Sequence, residues 1–159
     1  MVACVQCGSE MTISREDRAY ADLPGVTLRG VEVRRCPSCG EYEVVFQNLN
    51  RLHEVLTAAI VGKRTQLARQ ERHFLRNFLC WTEEELAQHM GVPSETVFAW
   101  ESSDAPVGPV ADRLLRLLAA RRLPHGNAPS DEMLTHISED VTPLHVEVQA
   151  QRDGWSEAA

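Results

Sequence analysis

No stretch of this chain approaches the roughly 18 consecutive uncharged apolar residues that a membrane-spanning helix needs, so no such span is expected. The N-terminal MVACVQCG has no basic segment leading into an apolar one, which argues against a secretory leader and for a cytoplasmic setting. Catalytic signatures are missing as well. There is no G-x-S-x-G elbow, no Walker-type phosphate loop and no paired-carboxylate pattern, and none of the six histidines stands in a metal or nucleophile constellation. A non-enzyme is therefore expected. Positive charge is also scarce, with 16 Lys and Arg against 23 Asp and Glu. That balance opposes a nucleic-acid partner, whose affinity comes mainly from neutralised phosphates. The distribution weakens the objection, because residues 124–159 carry 1 basic residue against 7 acidic ones, whereas residues 63–123 carry 9 against 8.

What is present begins with cysteine. Four of the five cysteines form two copies of C-x-x-C-G, Cys4–Cys7 with Gly8 and Cys36–Cys39 with Gly40, separated by 28 residues. Two thiolates spaced by two residues point at one ion, and the following glycine lets the chain turn tightly beneath it. Four sulfurs leaving no water position describe a structural zinc site, one ion per chain, with iron as the remaining metal alternative. A redox C-x-x-C would sit beside a βαβ pattern, which is not found here. Between the knuckles, residues 11–14 and 26–35 read as strands, the second alternating Val26, Leu28, then Val31, Val33 around Gly30, and Pro24-Gly25 marks a turn. Residues 41–46 make a third strand. A unit of residues 1–46 is near the size below which an apolar core alone rarely suffices, so it is expected to be unfolded without metal.

Leu49, Leu52, Leu56 and Ile60 recur at helical spacing and define a linker helix within residues 47–64. A further helix is expected over 67–79, with Arg69, Arg72 and Arg76 on one side as a solvated face or a set of phosphate contacts. Cys80, among Phe78, Leu79 and Trp81, reads as a buried small hydrophobe. Thr82 and Glu85 then form a capping box. Leu86, Ala87 and Met90 share a helical face, Gly91 ends the helix, and Pro93 leads into a second helix with Val97 and Trp100 inward. Two short helices joined by such a turn are a helix-turn-helix, whose second helix enters a DNA major groove, or else an ordinary helical hairpin in a core. The candidate DNA-facing residues are Thr82, Glu83, Ser94, Glu95, Thr96, Phe98 and Ala99.

Pro109 opens a closing helix over 110–122. Val110, Leu114, Leu117 and Leu118 share a face there, and Leu115 and Ala119 widen it beyond one core contact. That width suggests a homodimer through Leu114, Leu115 and Leu118. Residues 124–130 are a Pro, Gly, Asn and Ser linker, and 144–149 alternate like a strand. The expected fold is α+β. It comprises a zinc-bound β unit (1–46), a linker helix (47–64), an all-α Cro-like helix-turn-helix domain (65–123) and an acidic tail with one possible strand (124–159).

The stretch Gly91, Val92, Thr96, Val97, Trp100, Glu101 resembles the Cro and phage-repressor helix-turn-helix. The four cysteines, the T-L-R-G-V segment from Thr27 to Val31, the Thr82-capped helix, Trp100-Glu101 and the leucine-rich closing helix together are similar to the MqsA/YgiT-type antitoxins of bacterial toxin-antitoxin systems, over roughly residues 1–122. That resemblance implies a zinc unit that binds a toxin protein. It also implies a dimeric helix-turn-helix that represses its own operon at a palindromic site on double-stranded DNA. This chain departs from the pattern at three outward positions. Glu83, Glu95 and Ala99 stand where such proteins commonly carry Gln, Asn or Ser, and Arg. Either Glu95 accepts from a cytosine amino group while Ser94, Thr96 and Phe98 add polar and methyl contacts, or the unit is a protein-interaction adaptor that no longer reads DNA.

Overall fold

The structure is a computed structural model and describes residues 1–124 and 128–158; residues 125–127 of the expected linker lie outside them. In chain order its elements are β1 (Thr12–Ala19), β2 (Val26–Arg35), β3 (Tyr42–Val45), α1 (Leu49–Val61), β4 (Thr65–Gln66), α2 (Arg69–Phe78) and α3 (Glu83–Met90). They continue with α4 (Ser94–Ser102), α5 (Pro109–Ala120), α6 (Asp131–Thr135), β5 (Ser138–Val141), β6 (Val146–Gln151) and β7 (Gly154–Glu157). The fold is thus mixed α/β, with six helices among the described residues and a principal sheet of five strands.

The long strand β2 organises that sheet. It pairs antiparallel with β1, from Thr12 opposite Arg35 to Ala19 opposite Thr27. Its other edge is shared: Glu32–Arg35 pair antiparallel with β3, and Val26–Arg29 pair parallel with β6. The changeover falls at Gly30. Its φ of +68° is open to glycine at little cost, and its amide donates to the Asp17 carboxylate at 3.0 Å, beside the bulge in β1. The same kink explains why the buried positions of β2 shift phase, from Val26 and Leu28 to Val31 and Val33.

Val26, Leu28 and Val31 enter one core with Leu52, Leu56 and Ile60 of α1, Leu75 of α2, Leu86 of α3, Val97 of α4 and Leu115 of α5. Only Cys4, Met11 and Cys36 form a separate small cluster at the far end of the sheet. The tail belongs to the same core. Val148 and Trp155 are buried, and the Trp155 indole N–H donates to the Gln47 carbonyl at 2.7 Å. The tail backbone lies so close on Gly25 that a Cβ there would stand 1.9 Å from the Leu144 carbonyl oxygen. The expectation of a short tail with one strand is therefore corrected: it supplies α6, β5, β6 and β7, with β5 pairing parallel with β4. The alternation at 144–149 marks β6, whereas β5 and β7, four residues each, are too short to read as strands alone and exist because a partner edge waits for each.

The closing helix α5 is rotated from its expected orientation. Its buried residues are Asp112, Leu115, Arg116, Ala119 and Ala120, whereas Val110 and Leu117 are 77% and 41% exposed. Leu115, expected at a dimer surface, is 2% exposed and sits in the core. The reason is a buried ion pair. The Arg116 guanidinium donates to Asp112 at 2.7 Å and to the carbonyls of Val61, Lys63 and Thr65, and the Leu67 amide donates to Asp112 at 2.8 Å. Charges so fully partnered can be buried, and here they face inward.

Candidate metal centre and the outward face of the third and fourth helices

Each C-x-x-C-G segment forms the same knuckle. The Gly8 amide donates to the Cys4 carbonyl at 2.8 Å and the Gly40 amide to the Cys36 carbonyl at 3.0 Å. The Cys4 and Cys36 amides donate to the carbonyls of Ser9 and Glu41, both at 2.8 Å. Gly8 and Gly40 have φ of +75° and +79°, the left-handed turn that brings each second cysteine under the first. The β1–β2 hairpin sets the two knuckles side by side. All four sulfurs lie within 4.8 Å of one another, with Cys4 and Cys39 3.7 Å apart and Cys7 and Cys36 3.4 Å apart. Tetrahedral ligands about 2.3 Å from one ion are about 3.8 Å from each other, so Cys4, Cys7, Cys36 and Cys39 are close enough together to hold a metal ion. Cys4 and Cys36 are buried and Cys7 and Cys39 face solvent, so an ion would be shielded on one side only.

Cys7 and Cys39 are pushed in opposite directions. The Ser9 hydroxyl and amide hold Cys7 down at about 6. The Glu41 amide also favours ionised Cys39, but the neighbouring Cys36, Cys7 and Cys4 sulfurs, together with burial, outweigh it and push that thiol up to about 12. A cation removes this conflict by compensating several thiolates at once.

In the second region, the Glu85 amide donates to the Thr82 hydroxyl at 3.1 Å and the Thr82 amide to the Glu85 carboxylate at 2.7 Å, closing the expected capping box of α3. Gly91 ends that helix at φ +70°, and Pro93 precedes the first residue of α4. Among the candidate residues, Thr82, Glu95, Phe98 and Ala99 are exposed, with Phe98 at 61%, while Glu83, Ser94 and Thr96 are half-buried. No Lys or Arg occurs between Thr82 and Ser102.

The arginines of α2 are not the solvated stripe their spacing suggests. Arg72 is buried and donates to the carbonyls of Trp100, Ser103 and Ala105 at 2.8, 3.0 and 2.9 Å, which clamps the end of α4. Arg76 forks onto Glu101 at 2.6 and 3.0 Å and also donates to the Trp81 carbonyl at 3.0 Å. Only Arg69 stays exposed, near Asp104. Helix spacing alone cannot distinguish a stripe facing water from one facing the carbonyls of a neighbouring helix end. Cys80 is also corrected: at φ +59° just past the end of α2, it is exposed rather than buried.

No protein-family model matches the chain, and neither a curated protein nor a solved structure is significantly similar to it. The chain is thus defined by its own geometry, as a mixed α/β protein with a four-cysteine site able to take a metal ion.

Proposed function

We propose that this protein is a zinc-containing helix-turn-helix DNA-binding regulator, an antitoxin-like repressor of its own operon in the bacterial cytoplasm. The observation that carries this reading is the unit from Thr82 to Ser102. Two helices joined across Gly91 are locked to α2 by the Arg76–Glu101 fork and the Arg72 clamp, and Ser94, Glu95, Phe98 and Ala99 stand along the outer part of the second helix. A rigid short helix with its side chains turned outward is what insertion into a major groove requires. Thr82, at the start of α3, faces the phosphate backbone, and Glu95 reads a cytosine amino group. One structural zinc ion on Cys4, Cys7, Cys36 and Cys39 braces the N-terminal unit, where a toxin protein binds. A homodimer spans a palindrome, and its interface moves from Leu115 to the outer face of α5, where Val110 and Leu117 are exposed and Leu114 and Leu118 half-buried.

A second reading is favoured by the inward turn of Arg72 and Arg76. With no cation between Thr82 and Ser102, and with Glu83, Glu84 and Glu95 in the first turns of α3 and α4, the same face suits a protein partner. In that case the chain is an interaction adaptor whose α3–α4 unit is a scaffold.

Retention of the protein's own upstream DNA at several salt concentrations separates the two. The regulator gives a sequence-specific complex that weakens as salt rises and changes its base preference in Glu95→Ala. Absence of retention even at low salt would leave the adaptor. Elemental analysis of the purified protein should give one zinc per chain, and iron there would overturn the metal assignment.

A further inference from the structure

The four clustered sulfurs divide by exposure, and they pair across the two knuckles. Cys7 and Cys39 face solvent, whereas Cys4 and Cys36 are 3% and 2% exposed. Each exposed sulfur lies against the buried sulfur of the other knuckle, Cys39 at 3.7 Å from Cys4 and Cys7 at 3.4 Å from Cys36. Closing either gap to the roughly 2.05 Å of a disulfide takes about 1.5 Å of sulfur movement, which side-chain rotation supplies. The backbone holds the pairs together by itself. Thr12 is paired with Arg35, the Met11 amide donates to the Val2 carbonyl at 2.8 Å, and Ala3 bridges to Glu10.

An exposed thiolate with a second sulfur in reach is the arrangement of a redox-reactive cysteine and its resolving partner. It occurs twice here. Cys80, also exposed, lies outside the cluster and has no such partner among the described residues.

We propose that the four-cysteine cluster is a site of reversible oxidation by hydrogen peroxide, which joins Cys39 to Cys4 and Cys7 to Cys36 and exchanges the metal for two disulfides. The release of zinc rests on the zinc assignment, the sulfur pairing on the geometry alone, and neither depends on the α3–α4 unit. A bound cation keeps its sulfur ligands ionised. The Cys39 sulfur attacks one peroxide oxygen, the O–O bond breaks, and the departing hydroxide takes a solvent proton to become water, leaving a sulfenic acid. The Cys4 sulfur then attacks the Cys39 sulfur and expels its hydroxyl, which leaves as a second water on protonation. The two sulfurs are oxidised and the peroxide is reduced, so that two thiolates, one peroxide and two protons give one disulfide and two waters. Cys7 and Cys36 repeat the sequence. Sulfurs bonded in pairs no longer hold an ion. Such links differ from the disulfide within one C-x-x-C motif, because they tie the two ends of the β1–β2 hairpin and take over the bracing that the metal gave. A thiol reductant and zinc reverse the change.

Full-length Cys80→Ser protein, in which the cluster holds the only cysteines, tests this by treatment with hydrogen peroxide and digestion with trypsin without reduction. Cys4 and Cys7 then fall on residues 1–15, and Cys36 and Cys39 on residues 36–51. Chains that remain monomeric should yield those two peptides joined, lighter than their sum by two hydrogens for each disulfide, with fragmentation placing the links at Cys4–Cys39 and Cys7–Cys36. One zinc per chain should pass to a chromogenic chelator as the links form. Amides near the knuckles should exchange on the order of tenfold more slowly in the oxidised protein than in chelated, reduced protein. Separate peptides that each carry an internal disulfide, links only between chains, or conversion to sulfinic and sulfonic acids without cross-linking would overturn the proposal. Equal exchange in the two states would overturn the bracing role. A protein that carries no zinc before treatment refutes the metal assignment alone, because the peptide map reads sulfur linkages and still decides the oxidation.

Discussion

Glu101, with the Arg72 clamp, fixes α4 to α2. Its carboxylate takes both arms of Arg76 and also lies 3.3 Å from the His73 imidazole, in a setting only slightly open to water. Removing one partner of such a pair strands the other charge, at a cost near the low end of the range for buried pairs, about 3 kcal/mol. Glu101→Gln should therefore lower the unfolding free energy in urea by about that amount. Arg69→Gln, whose partner Asp104 is exposed, should change it by less than about 0.5 kcal/mol. His53 gives a pH signature. Burial against Phe74 and Tyr20 pushes its imidazole below the ordinary 6.5, with Asp22 opposing weakly. The folded state thus resists a proton that the unfolded chain accepts. The stability tied to His53 is complete above 6.5 and declines as pH falls through 6.5 toward the lower folded value. His53→Gln should flatten the loss of stability between about pH 7 and about pH 5, and an unchanged slope would refute the assignment.

At the scale of elements, α5 shows how a helical pattern can mislead about which side faces in. Eight of its residues, Val110, Ala111, Leu114, Leu115, Leu117, Leu118, Ala119 and Ala120, are apolar, so several faces look equally buriable. The buried one is chosen by Asp112 and Arg116: the Arg116 guanidinium donates to carbonyls of the segment from α1 to β4, and the Asp112 carboxylate accepts from Arg116 and from the Leu67 amide. Leu115→Ala should accordingly cost about 2–5 kcal/mol of stability and leave the association state alone. Leu117→Glu should leave stability nearly unchanged and, if α5 carries the homodimer, shift sedimentation to monomer. The capping box of α3 is the opposite case, because Thr82 and Glu85 satisfy each other's amides within one turn and need nothing from the rest of the fold.

For the whole molecule, the sharing of β2 between β3 and β6 changes what metal removal should do. The apolar residues of β2 pack with the helices and the tail, while the knuckles hold only a small cluster of Cys4, Met11 and Cys36. Chelation in the full chain should therefore loosen residues near the two knuckles and leave the rest of the sheet protected, as followed by amide exchange, with recovery on adding zinc. Loss of protection throughout β2 would show instead that the ion supports the whole core. The isolated fragment 1–46 should stay unfolded even with zinc, since Val26, Leu28 and Val31 would then lack their partners, and circular dichroism checks this. The tail is held by backbone contact at Gly25 and by the Leu144 amide on the buried Glu71, whose other carboxylate oxygen accepts from Lys63.

The four-cysteine cluster was legible in the sequence because its information is local. Two C-x-x-C-G segments each build their own turn, and the hairpin between them has only to bring them together. The strand β2, the ends of α3 and the start of α4 were legible for the same reason, since caps, glycines and alternation act within a few residues. What only the tertiary structure decided were the partners of groups that have several possible ones. Arg72 and Arg76 could face water, phosphate or carbonyls, Asp112 and Arg116 could lie outside or in, and the strands of the tail could form only once β2 and β4 offered free edges. These choices depend on which unsatisfied backbone groups a distant segment presents. Spacing along the chain records what a residue can bond to, and the fold alone settles which of those groups arrives within reach.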